Sequence, residues 1–372
     1  MRIAWSSRRR SSSATRPRPS RRAGATRRAA AGGAVLAAAI LAAFALPGRG
    51  AGGAYELHPL VTDRGDPQLV NAWGLAASPT GPWWTSNEAR GSSTLYSGAG
   101  RKQRLTVRVA GGPTGVVYSG GGGFVVRGGG RADPARFIYA CEDGKLRAWT
   151  PTVPAGWSTR AVVAVDDAGA AALFRGLAIA GRRLYATDFH NGRVDVFDAS
   201  WRLVRRSGFA DPAIPSWYAP FGISVLGGHV FVTFAFRAPV DGNDAPSGGY
   251  VDEFTLAGKL VARLPRGGLN EPWGLALAPR SFGRYGGDLL VGDFGDGRIH
   301  AYARVPSGWK LDGTLADRHG RPLEVSGLWS LAFGNGSYAG PRDTLFVTAG
   351  PHTWRGATEQ SVHGLLASIR PA

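Results

Sequence analysis

The sequence predicts an all-β chain, a six-bladed β-propeller of four-stranded antiparallel blades, preceded by an N-terminal signal segment. Three observations predict it. A phrase of three short strands recurs six times after Tyr55. Apolar and polar residues alternate within these strands, as in Val194-Asp-Val-Phe197, and helical periodicity is nearly absent. The 318 residues from Tyr55 onward give about 53 per repeat, in the range of propeller blades. One blade cannot bury both faces of its sheet, but six set radially cover every face with a neighbour. Residues 1–54 are read as a signal peptide or anchor and residues 55–372 as one propeller domain.

The first 54 residues hold 11 arginines and no acid. Arg8 to Arg28 make a Ser-rich basic head. Residues 29–46 form an uncharged apolar stretch, and small residues at 51–54 offer a cleavage site. This is the order of a secretory signal, so export to the periplasm or the exterior is expected. The alternatives are an uncleaved membrane anchor at 29–46 and a start codon placed too early. Thr26-Arg27-Arg28 also fits a twin-arginine signal. The formal charge of +18 falls to +7 without this segment, and no Lys/Arg run remains. A nucleic-acid partner is therefore excluded. The expected partner is an extracellular ligand or protein met by a monomer, with membrane contact only through an uncleaved segment. A single cysteine, Cys141, rules out an intramolecular disulfide.

The repeats open on small apolar strands: Asn71-Ala-Trp-Gly-Leu-Ala76, Pro113-Thr-Gly-Val-Val117, Phe174-Arg-Gly-Leu-Ala-Ile179, Pro220-Phe-Gly-Ile223, Pro272-Trp-Gly-Leu-Ala-Leu277 and Gly327-Leu-Trp-Ser-Leu-Ala332. Gly and Ala suit the crowded axis. The second strands end at Asn87, Glu142, Asp188, Phe234, Asp293 and Ala349. Asp143-Gly144, Asn191-Gly192 and Asp296-Gly297 supply hairpin turns into the third strands. Outer strands are expected at 105–109, 202–205 and 259–264. The segment Tyr55–Thr62 lies outside the six units, where it can add an outer strand to the last blade and close the ring.

Pro272-Trp-Gly-Leu-Ala and Leu184-Tyr-Ala-Thr-Asp-Phe-His-Asn-Gly-Arg-Val resemble NHL-type repeats. Those repeats build six-bladed propellers, among them the SMP-30/gluconolactonase-like proteins. Leu69-Val-Asn-Ala-Trp-Gly-Leu-Ala76, Gly287-Asp-Leu-Leu-Val-Gly-Asp-Phe-Gly-Asp-Gly-Arg298 and Gly327-Leu-Trp-Ser-Leu-Ala-Phe-Gly-Asn-Gly336 are similar to a narrower group of exported, uncharacterised bacterial propellers. The resemblance implies the fold and export, and no activity.

In a propeller the start of strand one and the end of strand two open on the same face. Four of the six strand-two ends carry oxygen ligands: Asn87, Glu142, Asp188 and Asp293. One reading is a hard-cation site, with a divalent ion such as Ca²⁺ as cofactor. SMP-30-like lactonases are similar in holding a divalent ion with Glu, Asn and Asp at the channel mouth. Glu88 and His190 are then the candidate bases. The other reading is turn chemistry, in which Asp accepts backbone hydrogen bonds and His190 is a solvated turn residue. No organic cofactor is expected.

Weaker features surround this set. His352 and His363 share a long connection, and the 237–249 connection carries Asp241-Gly-Asn-Asp244, part of a calcium-loop pattern. Trp73, Trp273 and Trp329 are core residues or an aromatic platform. The Gly runs at 120–123 and 128–130 read as flexible connections, and Cys141 as a small buried hydrophobe. No Gly-x-Ser-x-Gly elbow occurs. The expected function is a binding module using the loop face over the channel. The alternative is a metal-dependent lactonase or esterase.

Overall fold

Blades approach one another at one recurring position of the first strands, the third residue in five of them and the fifth in Tyr218–Leu226. That residue is Gly74, Gly115, Gly176, Gly222, Gly274 or Ser330. A Cβ on Gly115 would lie 2.6 Å from the Leu177 amide nitrogen, and one on Gly176 would lie 2.8 Å from the Phe221 carbonyl oxygen. Only glycine admits backbone this close. Threonines from the same or a neighbouring strand then tie adjacent blades. Thr114 Oγ1 donates to the Phe174 carbonyl at 3.0 Å, and Thr187 Oγ1 to that of Phe221 at 2.7 Å. At the seam, Ser330 Oγ and Thr348 Oγ1 both donate to the Trp73 carbonyl, at 2.8 and 2.7 Å.

The computed structural model describes residues 53–206, 208–237, 248–350 and 363–372. They form six four-stranded antiparallel sheets in chain order. Blade 1 holds Ala72–Ala77, Trp83–Asn87, Ser92–Tyr96 and Lys102–Arg108. Blade 2 holds Pro113–Tyr118, Phe137–Cys141, Lys145–Trp149 and Val162–Asp166. Blade 3 holds Phe174–Ala180, Arg183–Asp188, Arg193–Asp198 and Leu203–Arg205. Blade 4 holds Tyr218–Leu226, His229–Phe236, Tyr250–Phe254 and Leu260–Arg263. Blade 5 holds Pro272–Leu277, Leu289–Asp293, Ile299–Val305 and Gly308–Thr314.

Blade 6 holds Leu328–Phe333, Leu345–Ala349 and Leu365–Pro371, and its outer strand is Tyr55–Thr62. The two ends of the propeller are thus hydrogen-bonded, Tyr55 opposite Pro371 and Thr62 opposite Leu365. Tyr55 also anchors this strand to blade 5. Its hydroxyl donates to the Phe282 carbonyl at 3.0 Å and accepts from the Tyr285 amide at 3.1 Å. The outer strands expected in blades 1, 3 and 4 lie within two or three residues of the observed ones.

Separate apolar clusters fill the gaps between blades, and another sits at the axis. This is the alternation rule at work, because each strand must be apolar towards the blade it faces. Blade 2 departs from the expected pattern. The Gly run at 128–130 is not a loose connection but the turn of an added hairpin, Val125–Gly128 with Arg131–Pro134. Gly129 and Gly130 supply its positive φ values of 54° and 74°. No helix among the described residues is long and apolar enough to cross a membrane. The signal segment up to residue 52, Asp241-Gly-Asn-Asp244 and His352 lie outside the described residues.

Candidate functional site at the upper channel mouth

The first strands start, and the second strands end, on one face, here called upper. The pairs that define it are Ala72 with Asn87, Pro113 with Cys141, Phe174 with Asp188, Pro220 with Phe234, Pro272 with Asp293, and Leu328 with Ala349. Cys141, not Glu142, therefore stands level with Asn87, Asp188 and Asp293. Glu142 is one residue further, level with Glu88. The backbone shows the same register: Glu88 N donates to Asn71 O and Glu142 N to Gly112 O, both at 3.0 Å. Phe189, Phe294 and Gly350 make the equivalent bond in their blades.

The strand-end residues are each held within their own blade. Asn87 is fully buried; its Nδ2 donates to Thr94 Oγ1 at 2.8 Å and its Oδ1 accepts from Thr85 Oγ1 at 2.9 Å. Asp188 Oδ1 accepts the Leu173 and Asn191 amides, and its Oδ2 faces Arg193 at 2.9 Å. Asp293 Oδ2 accepts the Asn270 amide at 3.0 Å and faces His300 Nε2 at 3.2 Å. Complete burial pushes the Asp293 carboxyl up to about 7, although His300 pulls it back. His190 lies in the turn after Asp188, where its carbonyl accepts a hydrogen bond from Arg237. His363 Nδ1 lies 3.1 Å from Asp63 Oδ2. Among the described residues, no three His, Cys, Asp or Glu side chains converge to hold a metal ion.

Glu88 and Glu142 do come together, from neighbouring blades. Glu142 forms an ion pair with Arg175 of blade 3. Burial pushes the Glu142 carboxyl above the ordinary range, Arg175 pulls it down, and the Glu88 carboxylate pushes it up again. Asn71 completes the group. Its Nδ2 donates to Glu88 Oε2 at 2.8 Å, and its Oδ1 accepts from Trp329 Nε1 at 3.1 Å. Asn71 adopts φ 50°, a left-handed conformation that Asn tolerates better than most residues. Gly112 occupies the matching place in blade 2, at φ 66°, and a Cβ there would crowd Glu142 Oε2 at 3.0 Å.

Beneath this group the axis is stopped by aromatic rings. Trp73 stacks on Trp329 with centroids 3.5 Å apart, and Phe294 covers Trp329 at 4.0 Å. The guanidinium of Arg175 lies 5.1 Å from the Trp73 ring centre and 5.6 Å from that of Phe189. Trp73, Trp273 and Trp329 are therefore buried together in the axial core, with Trp273 also lining the channel below. Below them the channel widens to about 500 Å³ and opens on the lower face, lined by Leu75, Val116, Leu177, Ile223, Leu275 and Leu331.

No protein-family model matches the chain. It is 30% identical over 304 residues to the uncharacterized protein L690 of Acanthamoeba polyphaga mimivirus, covering 76% of this chain and 80% of that one. It is also 30% identical over 318 residues to the uncharacterized protein R648 of the same virus, covering 82% and 76%. The chain belongs to the family of these two proteins. The names of these two proteins carry no activity, so the likeness brings none. Among solved structures, a streptogramin B lyase matches with a TM-score of 0.50 and 9% identity, over 86% of this chain and 97% of that one. A putative oxidoreductase (glucose dehydrogenase) from Thermus thermophilus matches with 0.50 and 15%, over 85% and 99%. At such identities these likenesses speak for the fold alone.

Sequence reasoning missed Arg175, and a signal for it exists. The residue just before this close-approach position is Trp73, Phe221, Trp273 or Trp329 in four blades, Thr114 in blade 2 and Arg175 in blade 3. A charge in a slot that the repeat fills with aromatics needs a buried counter-charge, and Glu142 supplies it.

Proposed function

We propose that this chain is a binding module that takes a cationic, hydrogen-bond-donating ligand at the upper mouth. The supporting observation is the meeting of Glu88 and Glu142 there, with Arg175 as the cation that pairs with Glu142. The group keeps one net negative charge, and a cation between the carboxylates relieves their repulsion. The probe is 1,4-diaminobutane, titrated calorimetrically into the wild type and into the Glu88→Gln/Glu142→Gln double variant. Binding to the wild type that disappears in the variant supports the reading; no binding, or equal binding to both, overturns it.

A second reading is a metal-dependent hydrolase of lactone or ester type. It draws on Glu142 as a carboxyl that burial and Glu88 push above its ordinary range while Arg175 pulls it down, the direction a general acid requires. A divalent ion here would take Glu88 and Glu142 as its carboxylates rather than Asn87, Asp188 or Asp293. Elemental analysis of chelator-free protein, with lactone and ester turnover before and after chelation, separates the two readings. The proposal includes export by way of the N-terminal segment, which N-terminal sequencing of the mature protein tests.

A further inference from the structure

We propose a second, separate site: an oxyanion pocket between the outer parts of blades 1 and 2 that takes a phosphate or sulfate group. The turn after Asn87 is a single 3-10 turn, Glu88–Arg90, ended by Gly91 at φ 56°. Arg90 therefore leaves the mouth and faces outward. The next strand starts at Ser92, which is paired across the sheet with Arg108. Arg108 is in turn bridged to Arg160 of the blade 2 loop, and its amide donates to the Thr159 carbonyl at 2.8 Å. These constraints gather Arg90, Arg108, Ser92, Thr106, Thr159 and Gln68 around a pocket of about 440 Å³.

The chemistry of the lining is one-sided. Among the described residues, no Asp or Glu lines the pocket. Among the described residues, Arg90 spends only its Nε, on the Pro67 carbonyl at 3.0 Å, and the Ser92 hydroxyl is committed to Gln68 Oε1 at 3.2 Å. That leaves the Arg90 terminal nitrogens, the Arg108 guanidinium and the Gln68 amide hydrogens as donors, with two threonine hydroxyls beside them. A ligand that matches them must accept hydrogen bonds at several atoms and carry negative charge. A tetrahedral oxyanion does both, and guanidinium forks fit its oxygens in pairs. It also offsets the mutual repulsion of Arg90 and Arg108, which line the same pocket.

The test is thermal stability and calorimetry of the full chain with inorganic phosphate or sulfate, against chloride at matched ionic strength. Both oxyanions are expected to raise the melting temperature over chloride at up to about 50 mM, the range that saturates a millimolar site. Arg108→Gln should weaken binding by about tenfold or more. Arg127→Gln, an exposed arginine outside the pocket, should leave it unchanged. A response to phosphate that grows as its second proton leaves around neutral pH, with sulfate weaker, assigns a phosphate ester. Equal responses independent of pH assign a sulfate ester. No advantage over chloride, or the same response in Arg108→Gln, overturns the proposal.

Discussion

Glu88 and Glu142 stand one residue beyond the second strands of adjacent blades and share the upper mouth above Arg175. Their closeness is a product of register. Pro113 pairs with Cys141, so the residue that leaves the sheet next is Glu142, as Glu88 leaves after Asn87. The ring geometry then turns two local turn residues into one site.

The Glu142–Arg175 pair should behave as a coupled unit. Arg175→Met leaves Glu142 facing Glu88 without its counter-charge, and Glu142→Gln leaves a mostly buried guanidinium without its carboxylate. Each single change is expected to cost about 1–3 kcal/mol. The double variant should cost clearly less than the sum, as denaturant unfolding in a double-mutant cycle would measure.

Gly115→Ala should be far more damaging than Gly122→Ala. The first places a Cβ 2.6 Å from the Leu177 backbone nitrogen, whereas nothing lies within 4 Å of the second. Overpacking against backbone cannot be relieved by a rotamer change, so a loss of about 1–3 kcal/mol or more is expected, against about nil for the control. Paired thermal melts decide it.

Legibility followed the same physics. The blade repeat was readable because Gly in the first strands and alternation in the others answer local packing. The closing strand Tyr55–Thr62 was readable because it was left over from six units. The site was harder. Aligning strands by their last polar residue put Glu142 beside Asp188, but only pairing across the sheet shows Cys141 in that row. The hairpin Val125–Gly128 with Arg131–Pro134 hid inside a glycine-rich stretch whose turn geometry no single residue announces. Arg175 hid inside a phrase that otherwise matched the repeat.

Tyr55→Phe tests the ring closure. The phenol both donates to the Phe282 carbonyl and accepts from the Tyr285 amide. Losing it leaves two buried backbone groups without that partner, at a cost of about 1–3 kcal/mol. Chemical denaturation should show that loss with an unchanged m-value, since the surface exposed on unfolding is the same.

Asp293 predicts a pH dependence. Its folded pKa, raised to about 7 by burial against an unfolded value near 3.8, favours the neutral form in the folded chain. Its contribution to stability is fully present below the unfolded value and is lost as pH rises through about 7. Asp252, pushed up to about 6 by burial and by Asp211 despite Arg263, acts in the same direction. Stability should therefore fall across this window. Asp293→Asn keeps an acceptor for the Asn270 amide and carries no charge, so its profile should be flatter, with the gain over wild type appearing on the alkaline side. Melting temperatures of both proteins across the window check this.

The central claim is that the Glu88–Glu142 mouth is an electrostatically coupled binding site. It is tested most directly by following the Glu142 side-chain carboxyl by NMR against pH, with and without 1,4-diaminobutane. The account predicts a Glu142 titration above the ordinary glutamate range, lowered by Glu88→Gln and lowered again when the diamine binds the wild type. An ordinary titration, unmoved by either change, would contradict it.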